Sequence, residues 1–303
     1  MQPLEDDLFV PALALKETED PPYPVSTAWQ RFRQSRFGLC GLMLLAVIAI
    51  LTLSGPFLSG YPYDATHLAL KNQPPSSQFW FGTDDLGRDL FTRVWYGARI
   101  SLCVGLCAAI MDLFIGLLWG GIAGFFGGKI DETMMRLADI LYSLPYLLVV
   151  IMLTVVWGSG LFSIIAALAL IGWITMARIV RGQVLLLKEM DYILAAKALG
   201  AGPFRLLFKH LLPNAMGPVV VTLTLTIPSA IFSEAFLSFL GLGIQAPMAS
   251  WGTMASEGLP AMTFYPWRLF FPAFFISLTM LSFHLIGEGL KDALIKSEQV
   301  NLL

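Results

Sequence analysis

The chain has 303 residues, 56% of them hydrophobic and only 13% charged, with a mean hydropathy of +0.72 and a formal net charge of −2. A soluble domain carries about a quarter of its residues as charges, so this composition excludes a water-exposed globule and points to a bilayer as solvent. The near-neutral balance leaves no whole-protein basic footprint for nucleic acid.

Residues 1–37 are polar, and Pro21, Pro22 and Pro24 break any helix there. They are expected to form a tail, loosely ordered up to about Ser26, with no cleavable signal peptide. The run Gly38–Tyr63 carries no charge and holds the first membrane helix, assigned to residues 38–58. A loop over 59–98 follows. Within it, Thr83 to Trp95 reads as an amphipathic helix, with Thr83 at the cap, Asp84 and Asp85 in the first turn, and Leu86, Leu90 and Val94 on one face. That helix serves either as gate and partner contact or as an interfacial tether.

Residues 99–290 form the core, with five more spans. Ile100–Gly128 holds the second and contains one charge, Asp112. Ile140–Ala177 is charge-free for 38 residues, about 57 Å as helix against a ~30 Å hydrocarbon core, so it must be two spans. Gly158-Ser159-Gly160 is the natural turn between them. Leu211–Ser233 and Leu269–Gly287 supply the fifth and sixth spans. The fold class is therefore all-α integral membrane with six transmembrane helices. Cys40, Cys103 and Cys107 lie in apolar runs and read as small buried hydrophobes.

Basic residues orient the bundle. With the N-terminus inside, fourteen of the nineteen lysines and arginines fall on cytoplasmic segments, and Lys71, Arg88, Arg93, Arg99 and Arg268 fall outside. Both termini, including a 291–303 tail, and the segment 178–214 are then cytoplasmic. The 59–98 loop and the Gly- and Pro-rich segment 241–268, with Trp251, Tyr265 and Trp267 suited to the headgroup zone, are external.

The cytoplasmic segment interrupts the apolar runs with EMDYILAAKALGAGPFRLLFKHLLPNAMG, Glu189–Gly217. Asp191 caps a short helix, Tyr192–Leu199, which Gly200 ends. Gly202-Pro203 opens a second one, with Phe204, Leu207, Phe208 and Leu211 at helical spacing. Pro213-Asn214 redirects the chain into the fifth span. Ala195, Ala196 and Ala198 keep the first helix thin, so that another surface can approach its backbone. The segment is thus either an ordinary interfacial loop or a rigid elbow docked into a partner.

The stretch AAKALGAGPFRLLFKHLLPN resembles the EAA loop of ATP-binding-cassette importer permeases, matching it at Ala195, Ala196, Gly200, Pro213 and Asn214. Leu194 stands at the family's glutamate position. FGTDDLGRDLFTRVWYGARISL, GGKIDETMMRLADILYSLP and SEAFLSFLGLGIQAPMASWG are similar to segments of the C-type subunit of dipeptide, oligopeptide and nickel permeases, so the resemblance covers roughly residues 29–292. It implies a type I importer permease fold in a bacterial inner membrane, forming half of a pathway. It implies as partners a homologous second permease, two cytoplasmic ATPase subunits and an external substrate-binding protein. Peptide is the implied substrate, with nickel or another small solute as the alternative. The chain would bind no cofactor itself; ATP and Mg would be used by the partners, and no G-x-x-x-x-G-K-[ST] phosphate cradle occurs here. The coupling residues it assigns are Asp191, Ala195, Ala196, Leu199, Gly200, Pro213 and Asn214.

Two intramembrane carboxyls remain. Asp112 reads either as a pathway residue attracting a peptide's amino end or as a carboxyl hydrogen-bonded to a neighbouring helix. Glu234, beside LGLG, reads as a packing or gating residue. His284 and Glu288, one turn apart, read as a local side-chain pair, and Met134 and Met135 as space-fillers. An ion-driven secondary transporter is the rival from another class; paired intramembrane carboxylates and an inverted repeat would mark it, and neither is visible.

Overall fold

The computed structural model describes residues 28–245 and 247–301, with side chains from Trp29 to Leu294. The tail expected up to Ser26 lies outside the described residues. After a short α1 (Ala28–Gln34), α2 (Arg36–Leu58) starts at Ser35, whose hydroxyl accepts the Gly38 amide, so the expected boundary at 37/38 falls inside a helix. One face of α2 packs inward through Gly41, Ile48, Thr52 and Gly55, while Met43, Ile50, Leu53 and Phe57 face outward. An apolar exposed face of this kind is what a lipid-facing helix requires.

The expected amphipathic helix at Thr83–Trp95 does not form. Residues 83–89 make a tight turn closed by a Thr83–Asp89 bridge, and α3 (Leu90–Phe126) begins at Asp89, which caps the Thr92 amide. Asp84 ends the competition by accepting the amides of Leu86 and Arg88, and Gly87 sits at φ +71° with no room for a side chain beside His67. The second span therefore includes the last nine residues assigned to the loop.

Beyond Gly127, α4 (Gly128–Tyr142) and α5 (Tyr146–Trp157) meet at a 78° bend. Pro145 causes it by excluding Leu144 from helix. At twelve residues, α5 is about 18 Å long, so it crosses only as part of this bent pair. The turn at Gly158-Ser159-Gly160 falls where expected, followed by α6 (Leu161–Ile171) and α7 (Trp173–Leu187), joined through Gly172. Among the described residues, five helices are long and apolar enough to cross, and six spans result if the bent pair counts as one.

α8 (Asp191–Ala198) and α9 (Pro203–Arg205) precede a π turn over 206–211, then α10 (Leu212–Phe239), α11 (Trp251–Gly258) and α12 (Trp267–Asn301). α12 runs on without the break expected at residue 291, since no glycine or proline interrupts KDALIKSEQ. Trp251 is fully buried, its Nε1 donating to the Val94 carbonyl at 2.9 Å, so its ring packs against protein rather than against lipid headgroups.

The centre of the bundle is a seam between α3 and α7. Gly116, Gly120 and Gly124 recur every fourth residue on α3, and a side chain on any of them would run into Met176, Ala177 or the Arg181–Val184 turn. Small residues at this spacing let two backbones meet inside a membrane, where dispersion replaces the hydrophobic effect. At one end of the seam, Lys188 Nζ donates to the Phe125 carbonyl at 2.9 Å and Arg181 grips Asp131 of α4 at 2.5 and 2.6 Å. The start of α2 and the end of α12 share that end, with Gly38 against Gly289. At the other end, Arg99 donates to the carbonyls of Thr52 and Leu53 that close α2.

Replacing Gly120 by alanine should lower the thermal unfolding midpoint of the detergent-solubilised protein, at a cost of about 1–3 kcal/mol. The control is Gly121→Ala, where the new methyl meets only the flexible side-chain ends of Leu212 and Leu207 rather than backbone. Its midpoint should stay within about 2 °C of the wild type.

Candidate functional site

Three polar features stand out in this apolar bundle: the elbow between α7 and α10, the Glu234 knot, and the space around Asp112. The elbow is anchored from beneath. Ile193, Leu206, Leu207 and Leu211 are buried against Met176, Val180 and Val184 of α7. Its outer surface is apolar and open, with Leu199 90% and Phe204 76% exposed, and Leu194, Met190 and Phe208 about half exposed.

Asp191 occupies the first helical position of α8 and does not cap it; Met190 is the residue before the helix, and no side chain caps there. An acid in the first turn still complements the helix dipole. Gly200 ends α8 at φ +84° with open space around it, and Gly202-Pro203 opens α9 as the sequence suggests. The face expected from Phe204, Leu207, Phe208 and Leu211 is split: Leu207 and Leu211 point in, Phe204 and Phe208 out. Pro213 and Asn214 do not redirect the chain. They lie in the first turn of α10, continuous with the π turn, in which Leu212 N–H reaches back to the Leu207 carbonyl. The wider turn accommodates the missing Pro213 donor, and Asn214 Nδ2 donates to the His210 carbonyl at 2.6 Å. Ala196 leans on the buried cluster, while Ala195 faces out with Leu199.

Glu234 is fully buried and accepts three hydroxyls: Ser250 at 2.6 Å, Ser238 at 2.7 Å and Ser101 at 3.2 Å. Ser101 also accepts the Trp251 amide, and Ser250 and Thr253 form a reciprocal cap on α11. One carboxyl thus joins α3, α10 and the start of α11.

Asp112 is only 5% exposed, and among the described residues no hydrogen bond or ion pair reaches its carboxyl; Oδ1 is buried without a partner there. The bond to a neighbouring helix considered from sequence is not made. Instead the carboxyl lies against Gly172, the α6–α7 joint, in contact too close to admit a side chain there. It borders a cavity of about 190 Å³ with Tyr146, Thr226, Ser229 and Ser233.

Other expectations resolve simply. His284 Nδ1 lies 3.0 Å from the Met280 carbonyl and Glu288 lies 3.8 Å from Lys291, so the two do not pair with each other. Met135 packs with Trp119 and Trp173. Cys40 and Cys103 are exposed on the apolar surface rather than buried. The sequence reading missed an ion-pair network at the end of the bundle away from the elbow. Arg88 meets Asp84 at 2.6 Å, Arg93 meets Glu257 at 3.0 Å, and Arg268 meets Asp85 at 3.1 Å. Arg88, Arg93 and Arg268 read in the sequence only as topology markers; the Arg93 and Arg268 pairs join segments far apart in the chain, whereas Asp84 lies one turn from Arg88.

Against known families, residues 116–298 match the model described as binding-protein-dependent transport system inner membrane component. Residues 24–75 match the N-terminal transmembrane domain of oligopeptide transport permease C. The chain is 54% identical to the oligopeptide transport system permease protein OppC of Bacillus subtilis over 97% of its length and 98% of that protein. It is 57% identical to the dipeptide transport system permease protein DppC of the same organism, over 88% of this chain and 84% of that one. A solved structure of the inward-facing MetNI methionine ABC transporter shares the fold. The TM-score is 0.52 at 21% identity, covering 65% of this chain and 96% of that one.

Glu234→Ala should destabilise the purified protein by about 2–4 kcal/mol, because three buried hydroxyls lose their acceptor at once. Glu234→Gln, which keeps one acceptor oxygen, should cost less than half of that in the same thermal unfolding assay.

Proposed function

The chain belongs to the family of binding-protein-dependent transport system inner membrane components, and on that premise we propose that its elbow is the handle by which separate ATPase subunits drive peptide import. It is a multi-pass inner-membrane protein and a permease subunit, related at high identity to oligopeptide and dipeptide permeases. One such chain supplies half of the translocation pathway, and a homologous second permease supplies the other half. A substrate-binding protein delivers peptide at the face that carries residues 59–89 and 241–266. Two ATPase subunits sit beneath the elbow at the opposite face, and they alone use ATP and Mg.

The observation that carries this reading is the elbow's construction. Its inner side is buried against α7, while Leu199, Phe204, Leu194 and Phe208 leave an apolar patch uncovered at the end of the bundle. Exposed apolar surface concentrated on a short polar module marks a contact with another protein. The basic-residue bias supports a cytoplasmic elbow, and the described ends of α2 and α12 lie at the same end of the bundle. A push on α8 reaches α7 directly, and the glycine seam passes it to α3. The ATPase pair closes on ATP, so the conformations it favours differ in elbow position, which is the differential interaction a two-state transport cycle requires.

Gly200 offers the test. Its left-handed backbone tolerates aspartate better than most residues, and the surrounding space is open, so Gly200→Asp should insert and fold. A charge on the docking surface should nevertheless lower transport-coupled ATPase activity of the assembled importer by about tenfold or more, equivalent to about 1.4 kcal/mol of lost coupling. Unchanged coupled ATPase activity and uptake would contradict the docking role.

A further inference from the structure

The carboxyl of Asp112 poses a problem that neither the fold nor the coupling mechanism resolves. A carboxylate near the centre of a membrane helix costs about 2.5–3.5 kcal/mol on insertion scales, and a buried one is ordinarily paired or hydrogen-bonded. This one has no partner among the described residues. The hydroxyl of Tyr146, the first residue of α5 and on the wall of the same cavity, is also buried without a partner.

The rest of the lining narrows what is missing. Thr226 Oγ1 donates its hydrogen to the Thr222 carbonyl at 3.1 Å, and Ser229 Oγ donates to the Leu225 carbonyl at 3.0 Å. With those hydrogens committed to the helix, both oxygens are left as acceptors. No lysine, arginine or histidine lines the cavity. A carboxylate and two hydroxyl oxygens accept, and Tyr146 can do either. Ala108, Leu168, Ile171 and Ala230 make most of the remaining wall apolar, so these few acceptors are the polar groups a ligand meets. They suit a donor-rich cation, and a primary ammonium brings three donors and one positive charge.

The site lies at breaks in the helical framework. Tyr146 follows the bend at residues 143–145, and Gly172 joins α6 to α7 with its Cα against the Asp112 carboxyl. Asp112 is also one turn above Gly116, the first glycine of the seam that leads to the elbow. Groups at such joints change spacing when the helices move.

We propose that the Asp112–Tyr146 cavity is an ammonium-binding station in the translocation pathway, holding the free amino terminus of a peptide as it crosses the bilayer. This rests on the peptide-importer reading and names the chemical group for which the path is selective. Binding is electrostatic and hydrogen-bonded, with no covalent step. Because Asp112 lies beside the α6–α7 joint, occupancy and seam position affect one another.

The test uses the assembled importer, with its binding protein, in proteoliposomes. Two peptides of identical sequence are compared, one with a free amino terminus and one with that amine replaced by hydrogen. Each is supplied at a concentration that saturates the binding protein, so that uptake reports steps after delivery. Asp112→Asn keeps size and removes charge. It should reduce uptake of the amine-bearing peptide about tenfold and leave the des-amino peptide within about twofold of the wild type. Gly172→Ala, which drives a methyl into the carboxyl from a different helix, should show the same selectivity. Equal losses for both peptides would assign Asp112 a structural role and overturn the proposal, as would unchanged uptake of both. Failure of the wild-type complex to move either peptide would overturn the peptide-importer reading itself. A lysine side chain is separated from the α-amine by a des-amino peptide carrying one internal lysine. Restored sensitivity to Asp112→Asn in that peptide would show that the station reads any primary ammonium.

Discussion

The close approach of α3 and α7 is the constraint on which the rest of this molecule depends. Inside a bilayer, water supplies no drive to bring helices together, so contact has to come from backbones that can lie side by side. Gly116, Gly120 and Gly124 make that possible against Met176, Ala177 and Val184. Side chains at those positions would separate the helices and remove the floor on which the elbow rests. The same register brings Asp112 against Gly172 at one end and Phe125 to Lys188 at the other. A single line of contacts therefore runs from the membrane cavity to the elbow.

What surrounds the seam is fastened by polar groups chosen for their reach. Arg181 holds α4 to α7 through a bidentate pair with Asp131, and Glu234 gathers three hydroxyls from α3, α10 and the approach to α11. At the far end, the arginines at 88, 93 and 268 lock the 59–89 segment onto the α11–α12 region through Asp84, Asp85 and Glu257. The basic partners at this far end and Glu234 are buried, so these contacts hold neighbouring elements in fixed relation. By contrast, Leu199 and Phe204 are largely exposed, and the mostly apolar cavity at Asp112 holds a carboxyl and a phenol hydroxyl that no described residue satisfies. The outer face of the elbow and the Asp112 cavity are the two places to which the importer reading assigns contacts: an ATPase partner and a passing substrate.

Much of this architecture was legible in the sequence, for definite physical reasons. Charge-free runs have a length scale set by the bilayer, so the number of spans and the turn at Gly158–Gly160 could be read directly. Gly200 and Gly202-Pro203 are local signals, and they delimited the short helices of the elbow. The failures came where distant groups decide local structure. Thr83 and Asp84 carry a good helix-start pattern, but Asp84 is taken by the amides of Leu86 and Arg88 and by Arg88 itself. Pro213 reads as a chain breaker, yet a π turn absorbs it. Asp112 was visible as an anomaly, whereas its missing partner, the contact with Gly172 and the unpartnered Tyr146 required three dimensions. The glycine stripe was available as a four-residue repeat in IGLLWGGIAGFFGG, but composition alone makes it an unremarkable apolar run.

The decisive measurement is a disulfide cross-link from the tip of the elbow. Leu199→Cys, placed in a chain whose three native cysteines are replaced by serine, would be paired with single cysteines scanned across the surface of the ATPase subunits in the assembled importer. The account predicts a cross-link at one or a few of these positions, with transport arrested while it is intact and restored by reduction. A cysteine at 199 that links to no ATPase position, and that reacts with an impermeant thiol reagent added outside intact cells, would contradict it.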